Sequence, residues 1–331
     1  MKNPIAVLTS DVHYNLQTRG VAWHALTTVI HAANNLSVPL IVAGDLHDTK
    51  ANLRGECVND LLYVFSKCQT PCYILVGNHD LINEKAHANS INFLAPINGV
   101  VLVKDFKYVP DINVFFMPYQ SNVRTFLQQL PPRDLNSVII AHQGLLGSDS
   151  GEYIQDHSAL AKVELLGRRV ISGHYHRRQT IELPEEGKFD YIGNPFTLGF
   201  GEAEHPQKGY QILYSDYSLG FVPIDLPKHI IIDTEKLEPH VAPNWQPNDY
   251  LWVKVRGESD YLSTVTKEKI AKEFGIEQDF RLELIADNKD TEGKSSRALP
   301  KKQSLDDLID GLQSPSERKE RLKNKWKRLI E

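Results

Sequence analysis

Cysteine is scarce in this 331-residue chain, with three residues, Cys57, Cys68 and Cys72, odd in number and without the paired spacing of a zinc site. A disulfide framework is therefore not expected, and the thiols read as structural, buried groups in a reducing compartment. Long hydrophobic runs are also missing: nothing approaches the roughly 20 apolar residues that span a bilayer. The chain reaches its first chemistry-bearing strand end at Asp11, which leaves no room for a signal peptide, so a cytoplasmic location is expected. A large charge of one sign is absent too. The net charge of -5 argues against indiscriminate nucleic-acid binding through overall charge, while leaving room for a local basic groove. No internal repeat or low-complexity tract stands out. What remains is 41% hydrophobic and 24% charged, long enough for one large or two ordinary domains with a core that needs no covalent staples.

What the chain does have is one pattern used five times: an apolar run, a small residue, then side chains of the metal-binding type. Ile5 to Ser10 leads to Asp11 and His13, Leu40 to Gly44 to Asp45 and Asp48, and Cys72 to Gly77 to Asn78 and His79. Val138 to Ala141 leads to His142, and Val170 to Gly173 to His174 and His176. Side chains at i and i+2 share a face off the end of a strand, so His174 and His176 can point the same way.

Between these runs, Val21 to Leu36, Leu61 to Phe65 and Arg124 to Leu130 have helical spacing, which gives strands alternating with helices and an α/β sheet. Val100 to Val103 and Ile112 to Phe116 are two strands with no room for a helix between them, and antiparallel pairs are expected in the second half. Short strands after His176 close a first domain, 1–226, near Leu226-Pro227. Residues 227–286 form a small α/β unit, with strands at Ile230 to Ile232, Leu251 to Val255 and Arg281 to Ile285 and a helix from Ser263 to Phe274. Residues 287–303 are a charged linker, and 304–331 a helical tail with a basic last part around Trp326.

Ligands at the carboxyl ends of sheet strands are where an open α/β fold places its site. Asp11, His13, Asp45, Asn78, His142, His174 and His176 form a mixed nitrogen and oxygen set without thiolate, suited to Mn, Fe or Zn, and too large for one four-coordinate ion. Two ions are implied, with Asp45 from the middle of the sheet bridging them. Two ions about 3.5–4 Å apart can hold a phosphate, lower the pKa of a shared water to about 7 and stabilise charge near the leaving oxygen, which is phosphate-ester hydrolysis. His79 is then a spare imidazole able to protonate the leaving oxygen, with Asp48 placed to orient it.

Asp11-Val12-His13, Gly44-Asp45-Leu46-His47-Asp48, Gly77-Asn78-His79-Asp80, His142-Gln143 and Gly173-His174-Tyr175-His176 together resemble the motif series of the calcineurin-like metallophosphoesterases. The resemblance implies a four-layer α/β/β/α sandwich with a small α/β capping domain and a C-terminal helical tail. It also implies one ion on Asp11, His13, Asp45 and His176, a second on Asp45, Asn78, His142 and His174, and a catalytic dyad of His79 and Asp48. His47 stands where the family commonly carries an aromatic or apolar residue.

Within the family the chain resembles the SbcD-type nuclease subunit of DNA double-strand-break processing complexes and its phage recombination relatives. His142-Gln143, Tyr191-Ile192-Gly193-Asn194-Pro195 and Phe200-Gly201-Glu202 carry that likeness. It implies a Mn-dependent DNA nuclease, with Mg, Fe or Zn as possible substitutes, in the cytoplasm or a host cytoplasm if phage-encoded. It further implies an SbcC-type SMC-like ATPase partner docked on the C-terminal segment, and homodimerisation through helices around Leu53 to Phe65 and Glu84 to Leu94. Arg177 and Arg178, directly after His176, are the expected phosphate contacts. A stand-alone small-molecule phosphodiesterase or phosphatase is the alternative enzyme, and a scaffold subunit the alternative outside enzymes.

Overall fold

The computed structural model describes residues 2–48, 50, 52–83, 88–133, 135, 137–150, 156–235 and 244–287. The expected linker from residue 288 onward and the tail at 304–331 lie outside the described residues, as do residues 84–87 of the expected 84–94 dimer helix. The described remainder of that segment is not helical but a short strand at Ala88–Asn89 and one 3-10 turn at Asn92–Leu94.

The chain begins β1 (Pro4–Thr9), α1 (Arg19–Leu36), β2 (Leu40–Val42), α2 (Gly55–Phe65), β3 (Cys72–Leu75), the short pair β4 (Leu81–Asn83) and β5 (Ala88–Asn89), and β6 (Val100–Val103). It continues with β7 (Lys107–Val109), β8 (Val114–Met117), α3 (Val123–Gln128), β9 (Val138–His142), β10 (Arg169–Gly173), β11 (Gln179–Glu182) and β12 (Lys188–Tyr191). β13 (Gly209–Tyr214) and β14 (Leu219–Pro223) then return to β1. Two six-stranded sheets result, ordered β14-β13-β1-β2-β3-β6 and β11-β12-β10-β9-β8-β7.

Period-two burial assigns each strand's side chains to two different layers. Val7, Val42 and Ile74 pack against α1 and α2, together with Leu26, Ile30, Leu61 and Phe65. Ala6, Leu8, Ile41 and Leu75 face the other way and meet Phe116, Ile140 and Ile171 of the second sheet. The outer face of that sheet, with Phe115, Ile139, Val170 and Tyr191, is covered by Phe126 of α3 and by Leu160 and Leu165. Helices, sheet, sheet and helices give the expected α/β/β/α order. Each fully buried Leu, Ile or Phe contributes about 1.5–3 kcal/mol, so the three interlayer cores dominate stability.

The antiparallel pairs expected in the second half are β7–β8, β11–β12 and β13–β14. One connection is newly defined and one local reading changes. Val100–Val103 and Val114–Met117 do not pair with one another: the first is the edge of one sheet, and the second pairs with β7 and β9 in the other. The chain crosses between sheets there, which is why no helix is needed. The helix expected over Ser263 to Phe274 is instead α4 (Ser259–Leu262) and α5 (Lys267–Phe274), separated because the Thr266 side chain accepts from the Lys269 N–H and starts a new helix. Both pack on a parallel sheet of β15 (His229–Glu235), β16 (Tyr250–Gly257) and β17 (Phe280–Ala286), with its own core of Ile232, Val253, Leu262 and Ile270. This sheet touches the sandwich through Thr197 and His229, 2.9 Å apart, and through the Phe200 ring edge against Trp252.

Candidate dimetal centre

The sandwich brings all five chemistry-bearing loops to one end: those after β1, β2 and β3 from one sheet, and the ends of β9 and β10 from the other. Backbone pairing continues past the strands, with the Asp11 N–H donating to Gly44 O at 3.0 Å and the His13 N–H to Asp45 O at 3.0 Å. Asp11, His13, Asp45 and His174 all have positive φ, at 53°, 46°, 50° and 94°. Such backbones cost about 1–3 kcal/mol each for residues with a Cβ and persist only where the surroundings fix them. Gly77 is required by close approach, since a Cβ there would lie 2.1 Å from Asp45 Oδ1. Gly44, at φ +96°, lies against the His142 ring with the same 2.1 Å clearance.

Asp11, His13 and His176 form one cluster and Asp45, His142 and His174 another, each with its ligand atoms within 4.8 Å of one another. Asn78 joins the second, its Oδ1 2.9 Å from His174 Nδ1 and 3.0 Å from His142 Nε2. Asp45 lies between them. Its Oδ2 is 3.2 Å from His142 and 3.9 Å from His13, while its Oδ1 accepts the His79 backbone N–H at 2.8 Å.

The hydrogen-bond partners decide whether this donor set fits cations. His142 Nδ1 donates to the Ala43 carbonyl at 2.7 Å, so in the neutral ring its Nε2 carries a lone pair. That lone pair faces Asp45 Oδ2 and Asn78 Oδ1, both acceptors. His174 donates through Nε2 to Asp156 at 3.1 Å and turns its Nδ1 lone pair to the same Asn78 oxygen. His13 donates through Nδ1 to Asp48 at 3.1 Å and His176 through Nδ1 to Glu202 at 2.9 Å. Their Nε2 atoms then face each other at 3.1 Å. Four imidazoles thus spend their protons outward and turn lone pairs inward onto acceptors, an arrangement that fits cations in both clusters.

Asp45 is buried. Burial alone would raise its pKa, but with no ion bound a protonated His142 beside it holds the carboxyl well below the usual range. Burial would lower His142, yet Asp45 in turn pushes it up to about 9, so the pair keeps a proton where the lone pair would otherwise meet a cation. Asp80 moves oppositely, up to about 7, through burial and then the Asp45 charge. It accepts N–H groups from His47 at 2.9 Å and Gly77 at 3.0 Å, so it ties two ligand loops together.

The remaining expected residues distribute unevenly. His79 is 42% exposed at the mouth, its ring edge-on to His13 with centroids 4.7 Å apart. The Asp48 carboxylate is nearer His13 (3.1 Å) than His79 (3.7 Å). A cleft of about 910 Å³ runs over the site, lined by Asn78, His79, His174, His176 and Arg177. Arg177 pairs with Asp149. Arg178 turns away and lies on the Phe221 ring.

Three residues without an expected role brace the ligands. Asp156 accepts from His174 and from the Tyr175 hydroxyl, each at 3.1 Å. Glu202 accepts from His176 and also from Asn194 and Lys208. The Lys208 ammonium, 8% exposed, donates to Glu202 at 2.9 Å, Asn194 at 2.5 Å and the His176 carbonyl at 3.2 Å. Glu202 and Asn194 lie in segments that carried the family likeness, so a signal existed. Asp156 sits in a long aperiodic connection and gave none.

The family model of calcineurin-like phosphoesterases matches residues 6–178, just over half of the chain. Protein 244L of Invertebrate iridescent virus 6, provisionally named a phosphoesterase, is 27% identical over 220 residues, covering 60% of this chain and 71% of that one. Among solved structures, a dimetal phosphatase from Danio rerio aligns at 12% identity with a TM-score of 0.40, covering 64% of this chain and 93% of that one. The chain belongs to the calcineurin-like phosphoesterase family. Among the described residues, no helix is long and apolar enough to cross a membrane.

Proposed function

We propose that the protein is a DNA nuclease that hydrolyses phosphodiester bonds with two divalent ions, Mn in the first instance, at DNA ends and in single strands. The observation that carries the hydrolytic reading is the inward set of lone pairs in two clusters that share Asp45. Asp11, His13, Asp45 and His176 hold one ion, and Asp45, Asn78, His142 and His174 the other. The bound pair supplies a polarised phosphate and a water of lowered pKa. His79, exposed at the cleft mouth, gives its proton to the leaving oxygen, and Asp48, through His13 and its proximity to His79, positions both rings. Arg177 lines the same cleft and contacts backbone phosphate.

Support for DNA as substrate comes from the likeness at His142-Gln143, Asn194 and Glu202, and from the order of the chain, which follows the sandwich with a small α/β unit beside Phe200. In this reading that unit, residues 227–286, caps the site. The tail at 304–331 docks an SbcC-type SMC-like ATPase through Leu322, Trp326 and Leu329, spaced i, i+4, i+7 for a helix in a groove. The chain pairs with a second copy through α2 and the segment around Glu84 to Leu94, whose described part is β5 and one 3-10 turn at Asn92–Leu94. Leu61 and Phe65 are spent in the core, so α2 offers instead Tyr63, 55% exposed and stacked on Trp23.

Hydrolysis by the purified chain with Mn, comparing linear duplex, single strand and a small phosphodiester, tests the substrate. Cleavage of DNA is expected; turnover of the small ester alone would establish a stand-alone phosphodiesterase instead. Deleting 304–331 is expected to spare cleavage and abolish association with the ATPase, and retained association would refute the docking role.

A further inference from the structure

Behind His176, a second cavity of about 280 Å³ adjoins the main cleft. Arg178, His205, Gln207 and Phe221 line it, so it is built by the loop after β10, the stretch before β13 and a side chain of β14. His176, Arg177, Glu204, His205 and Lys208 line both cavities, so this pocket shares a wall with the cleft over the candidate ions.

The two arginines after His176 are spent differently. Arg177 is held by Asp149. Arg178 lies flat on the Phe221 ring, its guanidinium carbon 3.9 Å from the centroid, with no carboxylate within ion-pair distance among the described residues. Stacking fixes the plane of a guanidinium and leaves its in-plane N–H edge for an acceptor. Glu204 is the acidic group in the lining, and Lys208, also there, is spent on Glu202, Asn194 and the His176 carbonyl. The pocket therefore carries an oriented cation whose donors have no partner among the described residues. Shielding the edge strand β14 would require the stacking alone. It would not require a cavity lined by the same Arg178 and Phe221 and sharing a wall with the cleft over the ion centre.

We propose that this pocket binds a second phosphate group, one unit along a nucleic-acid strand from the phosphate at the ions, with Arg178 as its principal partner. The inference rests on the proposed hydrolysis of nucleic acid and deepens it: the site selects a phosphodiester chain over an isolated ester.

The test is calorimetric titration of the Mn-loaded full chain, as His79→Ala to slow turnover, with thymidine 3′,5′-bisphosphate and with each thymidine monophosphate. The bisphosphate is expected to bind about tenfold tighter, the order of one charge-assisted contact. Arg178→Ala is expected to erase that advantage, Arg178→Lys to restore part of it, and Phe221→Leu to weaken it. Equal binding of the three ligands, no binding of any, or an advantage that survives Arg178→Ala overturns the proposal. DNA cleavage by the unmutated chain is measured alongside. No cleavage with the bisphosphate advantage intact removes the nuclease reading and keeps the pocket, while cleavage without the advantage does the reverse.

Discussion

His13 and His176 face each other through Nε2 atoms 3.1 Å apart, while the other nitrogen of each ring is tied to a carboxylate, Asp48 and Glu202. Two lone pairs at that separation repel unless a cation joins them. Stripping the protein with a chelator is therefore expected to abolish hydrolysis and lower Tm. Readdition of Mn at about a hundredfold excess over Kd should return roughly 2.7 kcal/mol of stability per ion bound. A melting curve indifferent to chelator and Mn would remove the ion pair from the argument.

Asp45 Oδ2 lies 3.2 Å from His142 and 3.9 Å from His13, between the two clusters, so its loss should affect both ions of the proposed centre. Asp45→Ala is expected to carry fewer than one ion per chain by elemental analysis, against two for the parent, and to lose cleavage entirely. Retention of both ions would show that the clusters fill independently.

His79→Ala should separate chemistry from ion binding. Its ring is 42% exposed, so stability should change by no more than about 0.5 kcal/mol and ion content should hold. Cleavage should fall by roughly 100- to 10,000-fold. Unchanged turnover would falsify the acid role.

Gly77→Ala places a Cβ where Asp45 Oδ1 now lies, 2.1 Å away. The carboxylate must move, and with it the His79 N–H that it accepts. The expected result is loss of activity with ion affinity reduced, read by titration with Mn; a fully active Gly77→Ala would contradict the close packing of these two loops.

Bracing residues should register as ion affinity rather than as direct chemistry. Asp156→Asn removes the carboxylate that receives the His174 proton, and a 10- to 100-fold weaker Mn affinity is expected. Lys208→Met leaves Glu202 without its buried cation and should cost about 3–5 kcal/mol in urea unfolding. If neither variant shifts Mn binding, the bracing network is structural only.

The alternation of strands and helices was legible because each strand's apolar run is bounded by a small residue and followed by polar loop chemistry; the four-layer order came only through the family resemblance that those loops carry. The seven candidate ligands were legible for the same reason, since every one lies within a few residues of a strand end. Their partners were not. Asp156 reaches His174 from 18 positions away and Lys208 reaches Glu202 across a loop, contacts that no local spacing encodes. The crossing between sheets after Val103 escaped as well, because a pair of adjacent strands reads alike whether the two join one sheet or divide between two. The second helix start at Thr266 was the more readable miss, a capping residue inside an apparently continuous periodicity.

Asp11, His13, Asp45 and Asn78 follow strands of one sheet, while His142, His174 and His176 follow strands of the other. An ion held among them acts as a rivet through the two slabs at one end. The rivet would add to the alignment that the apolar layer and the bonds from His142 to Ala43 and from His174 to Asp11 already impose. Neither slab owns a complete coordination sphere, so a cut that parts them ends the chemistry even if both remain folded. Conversely, withdrawing the rivet would loosen the seam directly under the cleft lined by Asn78, His79, His174 and His176.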